Sequence, residues 1–461
     1  MPDTPAPGAA PPSDLRRTIG PIGAASVMIG VIIGSGIFKT PAQIALELSS
    51  PALILALWTL GGLICLAGAL TLAELAAMLP RTGGIYVFLR EAYGPMLAFV
   101  FGWSYFLLIK PFAAGGIAFV FAEALHNLAG LSGDTRITVT VMLVCLTLVN
   151  LLGVGLATGV ARLLTFIKFA ALAAIIALAA VLADSWAPAL NTPDALASAP
   201  PAAGPLLLAL ATVMSMILWT FDGWADVGAV AGEVKNPQRN LPRVFVGGTL
   251  AVILVYVLVN AAYFAALPLD QMRAIAQADP AASVAAEAVA RLVGPIGAAA
   301  VLTVIMLSTL GSSHSSIMTG ARVSFAQARD GLLFRFIGRV HPRFHTPDAS
   351  LIAQLALSIA AVWLLGGFAP LADAFTFTMW IFYGLAGAAI FILRARLPDA
   401  PRPFRCPLYP LVPALFVASS AGMFILGLLN DTTTKLVWLA ILLAGGPVFL
   451  IWRRLAKPAS T

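Results

Sequence analysis

Gly34-Ser35-Gly36 lies deep in an apolar run from about Ile19 to Ala45, and Trp219-Thr220-Phe221-Asp222-Gly223-Trp224 lies in another from about Pro205 to Val230. Both strings are poor helix at the middle of a helical pattern. Two glycines let the backbone leave helical geometry. The half-helix that restarts after them aims free N–H groups and a positive dipole end into the gap, which suits a carboxylate. At the second string, unpaired carbonyls around Trp219, Thr220 and Asp222 would accept from an ammonium. Together the two ends match the zwitterionic head of an α-amino acid. Glycines at such spacing also serve close helix packing, but the second interruption favours a ligand site.

The intramembrane charges are the next chemistry. Asp222 is either a proton carrier or cation-site residue, or a cap on the half-helix that follows; the cap is the favoured expectation. Lys168, in Phe166-Ile167-Lys168-Phe169, is flanked by apolar residues and stands too far from both helix ends for easy snorkelling. Lys110 either pairs within the bundle or faces an outer vestibule. Gly115 and Gly116 follow it and leave room for a side chain, or serve helix packing. Glu74, Glu233, Arg81, Arg322 and Arg329 sit near the inner ends of apolar runs as one candidate inner-gate network, or as solvated helix-end charges.

These residues need elements that bury them. The chain has 461 residues, is 60% hydrophobic and 10% charged, and its mean hydropathy is +0.95. Soluble domains carry about 25% charged residues, so the chain reads as an all-α, multi-pass membrane protein. Twelve apolar stretches of spanning length fall near 19–46, 52–79, 95–125, 137–153, 158–183, 205–231, 243–267, 295–325, 350–368, 371–394, 409–429 and 434–452. With the N-terminus inside, only Arg136, Arg273, Arg291 and Lys435 fall in outer segments. That bias follows the positive-inside rule, places both termini in the cytoplasm and accounts for the net charge of +7 without nucleic acid.

The interrupted stretches are the first and the sixth, so five spans separate them. An odd repeat inverts its second copy, as in inverted-repeat transporters. The expected organisation is a disordered tail at 1–17, repeats at 18–195 and 203–396, two further spans at 408–453 and a tail at 454–461. A polar outer loop is expected at 184–201, and short amphipathic helices between Leu267 and Val293.

The strings Ile33-Gly34-Ser35-Gly36-Ile37-Phe38, Pro80-Arg81-Thr82-Gly83-Gly84 and Gly232-Glu233-Val234-Lys235-Asn236-Pro237-Gln238-Arg239-Asn240-Leu241-Pro242 resemble the amino acid–polyamine–organocation superfamily, and the last resembles its L-amino acid transporter family. Ile109-Lys110-Pro111, Ala328-Arg329-Asp330-Gly331 and Arg402-Pro403-Phe404-Arg405-Cys406-Pro407 extend the likeness from about Thr18 to Arg454. The resemblance implies a LeuT-type 5+5 inverted repeat plus two C-terminal helices, with helices 1 and 6 unwound at mid-membrane and alternating access in the cell membrane. It implies neutral L-amino acids as cargo, moved by Na⁺-independent exchange, with proton symport as the alternative. By motif, Ser35, Gly36 and Ile37 would give backbone N–H groups to the substrate carboxylate. Carbonyls of Ile32, Trp219 and Asp222 would hold its amino group, and Trp219 would be an aromatic gate. Lys168 would replace the sodium ion of coupled relatives, donating to the first break and to Ser312 or Ser313. Lys110, where animal members carry an arginine, would line a distal pocket with Gly115, Gly116 and Trp380.

Other classes find less support. Of four histidines only His314 is within a span, so no metal site or cofactor emerges. No nucleophile–base set suggests an enzyme, and no filter motif or charged ring suggests a channel. Animal relatives join a glycoprotein subunit through a cysteine between spans three and four. The segment from Leu125 to Arg136 has none, so no disulfide-linked heavy subunit is expected.

Overall fold

The computed structural model describes residues 15–186, 206–278 and 283–455. Most of the expected N-terminal tail, of the outer loop at 184–201 and of the C-terminal tail therefore lies outside the described residues. Described elements are helical throughout. The one β contact among them is a bridge between Ile19 and Val234.

The first half runs through α1 (Pro21–Ile32), α2 (Gly36–Glu47), α3 (Pro51–Met78) and α4 (Ile85–Tyr93). A continuous rod follows, made of α5 (Pro95–Ser104), a π turn (Tyr105–Ile109) and α6 (Lys110–Ala129), then α7 (Thr135–Leu151) and α8 (Val154–Leu182). The second half holds α9 (Leu206–Phe221), a 3₁₀ helix (Asp226–Glu233), α10 (Pro237–Ala266), α11 (Leu269–Ala278) and α12 (Val284–Val293). It continues with α13 (Pro295–Arg329), α14 (Asp348–Leu365) and α15 (Phe368–Arg396), followed by α16 (Leu411–Asn430) and α17 (Thr432–Leu455).

Among the described residues, eleven segments are long and apolar enough to cross a membrane. The fourth expected span is a shorter apolar helix, α7, of 17 residues. The amphipathic pair α11 and α12 falls where the sequence suggested. Two features are unexpected. Helix α4, between the second and third expected spans, is an element for which the sequence gives no expectation, its nine residues being too few for a periodic signal. The inner half of the sixth span is a 3₁₀ helix, all eight residues of which are buried.

Local chemistry fixes the helix ends. Proline occupies the first turn of α1, α3, α5, α10 and α13, where its missing N–H costs nothing and its φ suits a helix. Ser50 accepts from the Leu53 N–H at 3.3 Å to cap α3, and Asp134 accepts from the Arg136 N–H at 2.9 Å to cap α7.

Burial separates centre from rim. The apolar windows of the first and third spans are 83% buried, those of α16 and α17 only 17% and 28%, so the last two helices form the lipid-facing edge. In the centre α6 packs along α13, α3 along α10, and α1 against α8, α10 and α13. The chain entering α1 is stitched to the end of the 3₁₀ helix. The Ile19 N–H donates to the Glu233 carbonyl at 2.9 Å, and the Lys235 N–H donates to the Ile19 carbonyl at 2.9 Å.

Candidate functional site

Helix α1 ends at Ile32, and Ile33 leaves helical geometry at φ −76°, ψ 84°. The Gly34 N–H turns back onto the Ile32 carbonyl at 2.8 Å before α2 resumes at Gly36. Helix α9 ends at Phe221, and the chain turns through Gly223 at φ 110°. The two breaks touch. A Cβ on Gly36 would stand 2.6 Å from Thr220 Oγ1, and one on Gly223 would stand 2.5 Å from Val31 Cγ1 and 3.0 Å from the Ile32 nitrogen. Only glycine permits that approach at both places, and only glycine takes the Gly223 backbone without strain. Among the described residues the N–H groups of Ser35, Gly36 and Ile37 donate to no backbone carbonyl. They are the orphan donors that every helix start leaves.

The carbonyl end of α1 is covered by an ammonium. Fully buried Lys168 Nζ on α8 donates to the carbonyls of Gly30 at 2.7 Å and Ile33 at 2.6 Å, and to Ser312 Oγ at 2.8 Å. From α13, Ser308 Oγ donates to the Ile33 carbonyl at 3.0 Å, and Ser312 Oγ lies 2.8 Å from that of Gly30. Ser312 is thus the span-eight partner; the Ser313 hydroxyl is buried and has no hydrogen bond among the described residues. A cation here also meets the negative end of the α1 dipole.

Three further groups complete the junction. Tyr256 Oη on α10 lies 2.9 Å from the Ile32 carbonyl and 3.3 Å from that of Thr220, and its single proton serves one of them at a time. The Trp219 carbonyl accepts the Asp222 N–H at 3.1 Å, and no backbone N–H among the described residues donates to the Asp222 carbonyl. The Asp222 carboxylate accepts from Tyr383 Oη on α15 at 2.6 Å. It caps no helix: the 3₁₀ helix that follows has no side-chain cap. The expected capping role gives way to a tertiary contact with α15.

Lys110 enters from the third span. Pro111 lacks an N–H and crowds the carbonyl four residues back, and the ladder slips to a π turn in which the Lys110 N–H reaches the Tyr105 carbonyl. The Lys110 ammonium then pairs with Asp226 Oδ2 at 2.5 Å, both side chains being under one-tenth exposed. Asp226 was absent from the sequence reading, although its place one turn past the Asp222-Gly223-Trp224 break was a usable signal. The groups enclose a cavity of about 30 Å³ lined by Gly34, Ser35, Gly36, Lys110, Trp219 and Asp222, among others. That volume admits about one or two waters. Trp219 closes one side with its ring edge-on to Phe375, centroids 5.1 Å apart.

The chain matches the amino acid permease family over residues 19–447. It belongs to that family. The permease is 33% identical over 441 residues to the serine/threonine exchanger SteT of Bacillus subtilis (strain 168), covering 94% of this chain and 96% of the relative. It is 29% identical over 450 residues to the human cystine/glutamate transporter, covering 95% and 86%. It is 29% identical over 454 residues to the mouse Asc-type amino acid transporter 1, covering 96% and 83%.

Other expected site residues of the permease lie elsewhere. Gly115 packs against α14, where a Cβ would meet Val362 Cγ2 at 2.9 Å, and neither it nor Gly116 lines the cavity. Trp380 lines a separate cavity of about 40 Å³ among α9, α15, α16 and Lys435 of α17. Of the expected distal pocket only Lys110 faces the central cavity, and Ala113 and Ile117, one and two turns further along α6, share its face.

The inner charges form separate clusters in place of one network. Arg322 grips Glu233 through Nε at 2.8 Å and Nη2 at 3.3 Å, both side chains being at most 1% exposed. Glu74 instead takes both arms of Arg394, at 2.9 and 2.6 Å, and the Cys406 N–H at 2.6 Å. Arg81 pairs with Glu91 on α4, and Arg90 with Asp330 at 2.8 Å. The partners Glu91, Arg394 and Asp330 come from distant turns that no local spacing reveals.

Proposed function

We propose that the permease is a secondary active transporter that carries neutral L-amino acids by alternating access, as a Na⁺-independent exchanger. The observation that carries this reading is the meeting of the two breaks around one cavity, which Ser35 and Gly36 line from one side and Trp219 and Asp222 from the other, with the N–H groups of Ser35, Gly36 and Ile37 unspent on backbone carbonyls. Those N–H groups would hold the substrate carboxylate, and the Trp219 and Asp222 carbonyls its amino group. The Ile32 carbonyl, already accepting from Gly34, would join only when Tyr256 turns to Thr220. Trp219 would gate the cavity, and Lys168 would stand where a sodium ion binds in coupled relatives. The family membership and the exchanger among its relatives support this. They favour a transporter over an enzyme or a channel.

The finer architecture is a LeuT-type fold of twelve spans in two inverted repeats of five. Its support is internal. Gly94-Pro95 and Gly294-Pro295 open the third and eighth spans with nearly the same backbone, φ 89° and 82°. Both spans then run 35 residues, Pro95–Ala129 and Pro295–Arg329. Like packs on like between the halves: α3 on α10 and α6 on α13. Cytoplasmic termini in the cell membrane follow from the positive-inside bias, and the permease would act without a disulfide-linked subunit.

Proteoliposomes loaded with unlabelled amino acid test the proposal. Labelled uptake should accelerate with internal substrate and be equal in Na⁺ and choline media. A Na⁺ gradient that drives uptake would overturn it. Proton symport is the second reading, favoured by Asp222, a cavity carboxylate whose bond comes from a phenol. Asp222→Asn keeps an acceptor for Tyr383 and should retain exchange; loss of pH-driven accumulation in that variant would favour symport.

A further inference from the structure

The Lys110 ammonium is the cation among the cavity's lining residues, yet its three N–H donors are spent on protein. They reach Asp226 Oδ2 at 2.5 Å, Ser316 Oγ at 3.4 Å and Thr319 Oγ1 at 3.4 Å. Its fourth neighbour is the Tyr105 ring, 5.6 Å from Nζ. Asp226 is fixed from its own side too. It opens the 3₁₀ helix, where a carboxylate is favoured, and Oδ2 accepts a second bond from Thr319 at 3.0 Å.

We propose that Asp226 sets the charge selectivity of the cavity by neutralising Lys110. An uncompensated ammonium in a membrane-buried cavity would be an anion site. With Asp226 in place, a carboxylate on a substrate side chain finds no free N–H on Lys110. It also meets two carboxylates, Asp226 and the cavity-lining Asp222. Taking the ammonium would mean breaking a buried, hydrogen-bonded pair, which leaves Asp226 charged and alone. A neutral side chain meets only a closed dipole. Discrimination here comes from what the wrong substrate would leave unpaired.

The inference rests on the amino acid transport reading, and its signature is a pair of opposite shifts. Full-length permease is reconstituted in proteoliposomes containing unlabelled serine, and initial uptake of labelled serine, glutamate and lysine is measured. Asp226→Asn removes one negative charge and should raise the glutamate-to-serine ratio at least about tenfold, because juxtaposed like charges are heavily penalised. Lys110→Gln removes the positive charge and should raise the lysine-to-serine ratio by a similar factor. A merely structural pair would lower all three rates in parallel, and parallel losses or unchanged ratios in monodisperse protein overturn the proposal. Should one variant not yield monodisperse protein, the other carries the test with its own sign. Wild-type liposomes that take up none of the three would instead overturn amino acid transport itself.

Discussion

The hydroxyl of Tyr256 lies 2.9 Å from the carbonyl oxygen of Ile32, the last residue of α1. The same hydroxyl is 3.3 Å from the Thr220 carbonyl in α9, so one proton is within reach of both interrupted helices and serves either in turn. Its ring is held independently, 5.0 Å from that of Phe221 and 5.8 Å from that of Trp58. Tyr256→Phe therefore keeps the packing and removes that proton. The expected stability loss is about 1 kcal/mol, one neutral hydrogen bond. Transport should fall about tenfold or more, because the breaks lose their shared donor. Uptake and thermal unfolding of the same preparation separate the two effects.

Lys168→Met removes the ammonium but keeps an apolar stem of similar reach. The Gly30 and Ile33 carbonyls lose their strongest donor, while Ser308 and Ser312 still reach them. The cost in stability should be about 1–3 kcal/mol. Exchange should drop at least tenfold, and Na⁺ should not restore it. Wild-type activity in a Lys168→Met variant would show that the charge is dispensable.

Arg322 and Glu233 are enclosed together, so removing one partner strands the other. Glu233→Gln should cost about 3–5 kcal/mol, far above the fraction of a kcal/mol of an exposed pair. Replacing both with apolar residues should recover most of that loss. Thermal melts of the single and double variants measure it, and additive losses would contradict a mutually compensated pair.

Cys406 lies in the segment between α15 and α16, outside the spans. Burial pushes its thiol up to about 11, with Glu74 adding to the effect and a hydrogen bond with Thr71 opposing it. The folded protein therefore holds this group as a neutral thiol through pH 8. That preference contributes stability below the unfolded value of about 8.5, and the contribution is lost as pH rises toward 11. In a Cys145→Ala background, iodoacetamide should leave Cys406 unmodified at pH 7–8 and react only as the pH approaches 11. Rapid alkylation of folded protein at pH 7 would contradict the burial.

What the sequence disclosed were the features carried by local pattern. Apolar runs gave the spans, Gly34 and Gly36 gave the first break, and an isolated lysine in an apolar helix gave Lys168. The partners were hidden because they are tertiary. Tyr256, Tyr383 and Asp226 look like unremarkable residues until α10, α15 and the 3₁₀ helix converge on the breaks. Gly115 shows the opposite limit. Its closeness to Lys110 suggested a shared pocket, but both stand in one regular helix, α6, where five residues turn the chain about 140° away, and Ala113 and Ile117 share the cavity face with Lys110 instead.

The two backbone bonds between Ile19 and the Glu233–Lys235 segment have a mechanical meaning. They involve no side chain, so no substitution short of proline at those positions releases them. Separating the start of the first span from the end of the sixth would strip two hydrogen bonds at once. A hinge at one break would therefore drag the half-helix bonded to it from the other. The permease carries two breaks but a single lever between them.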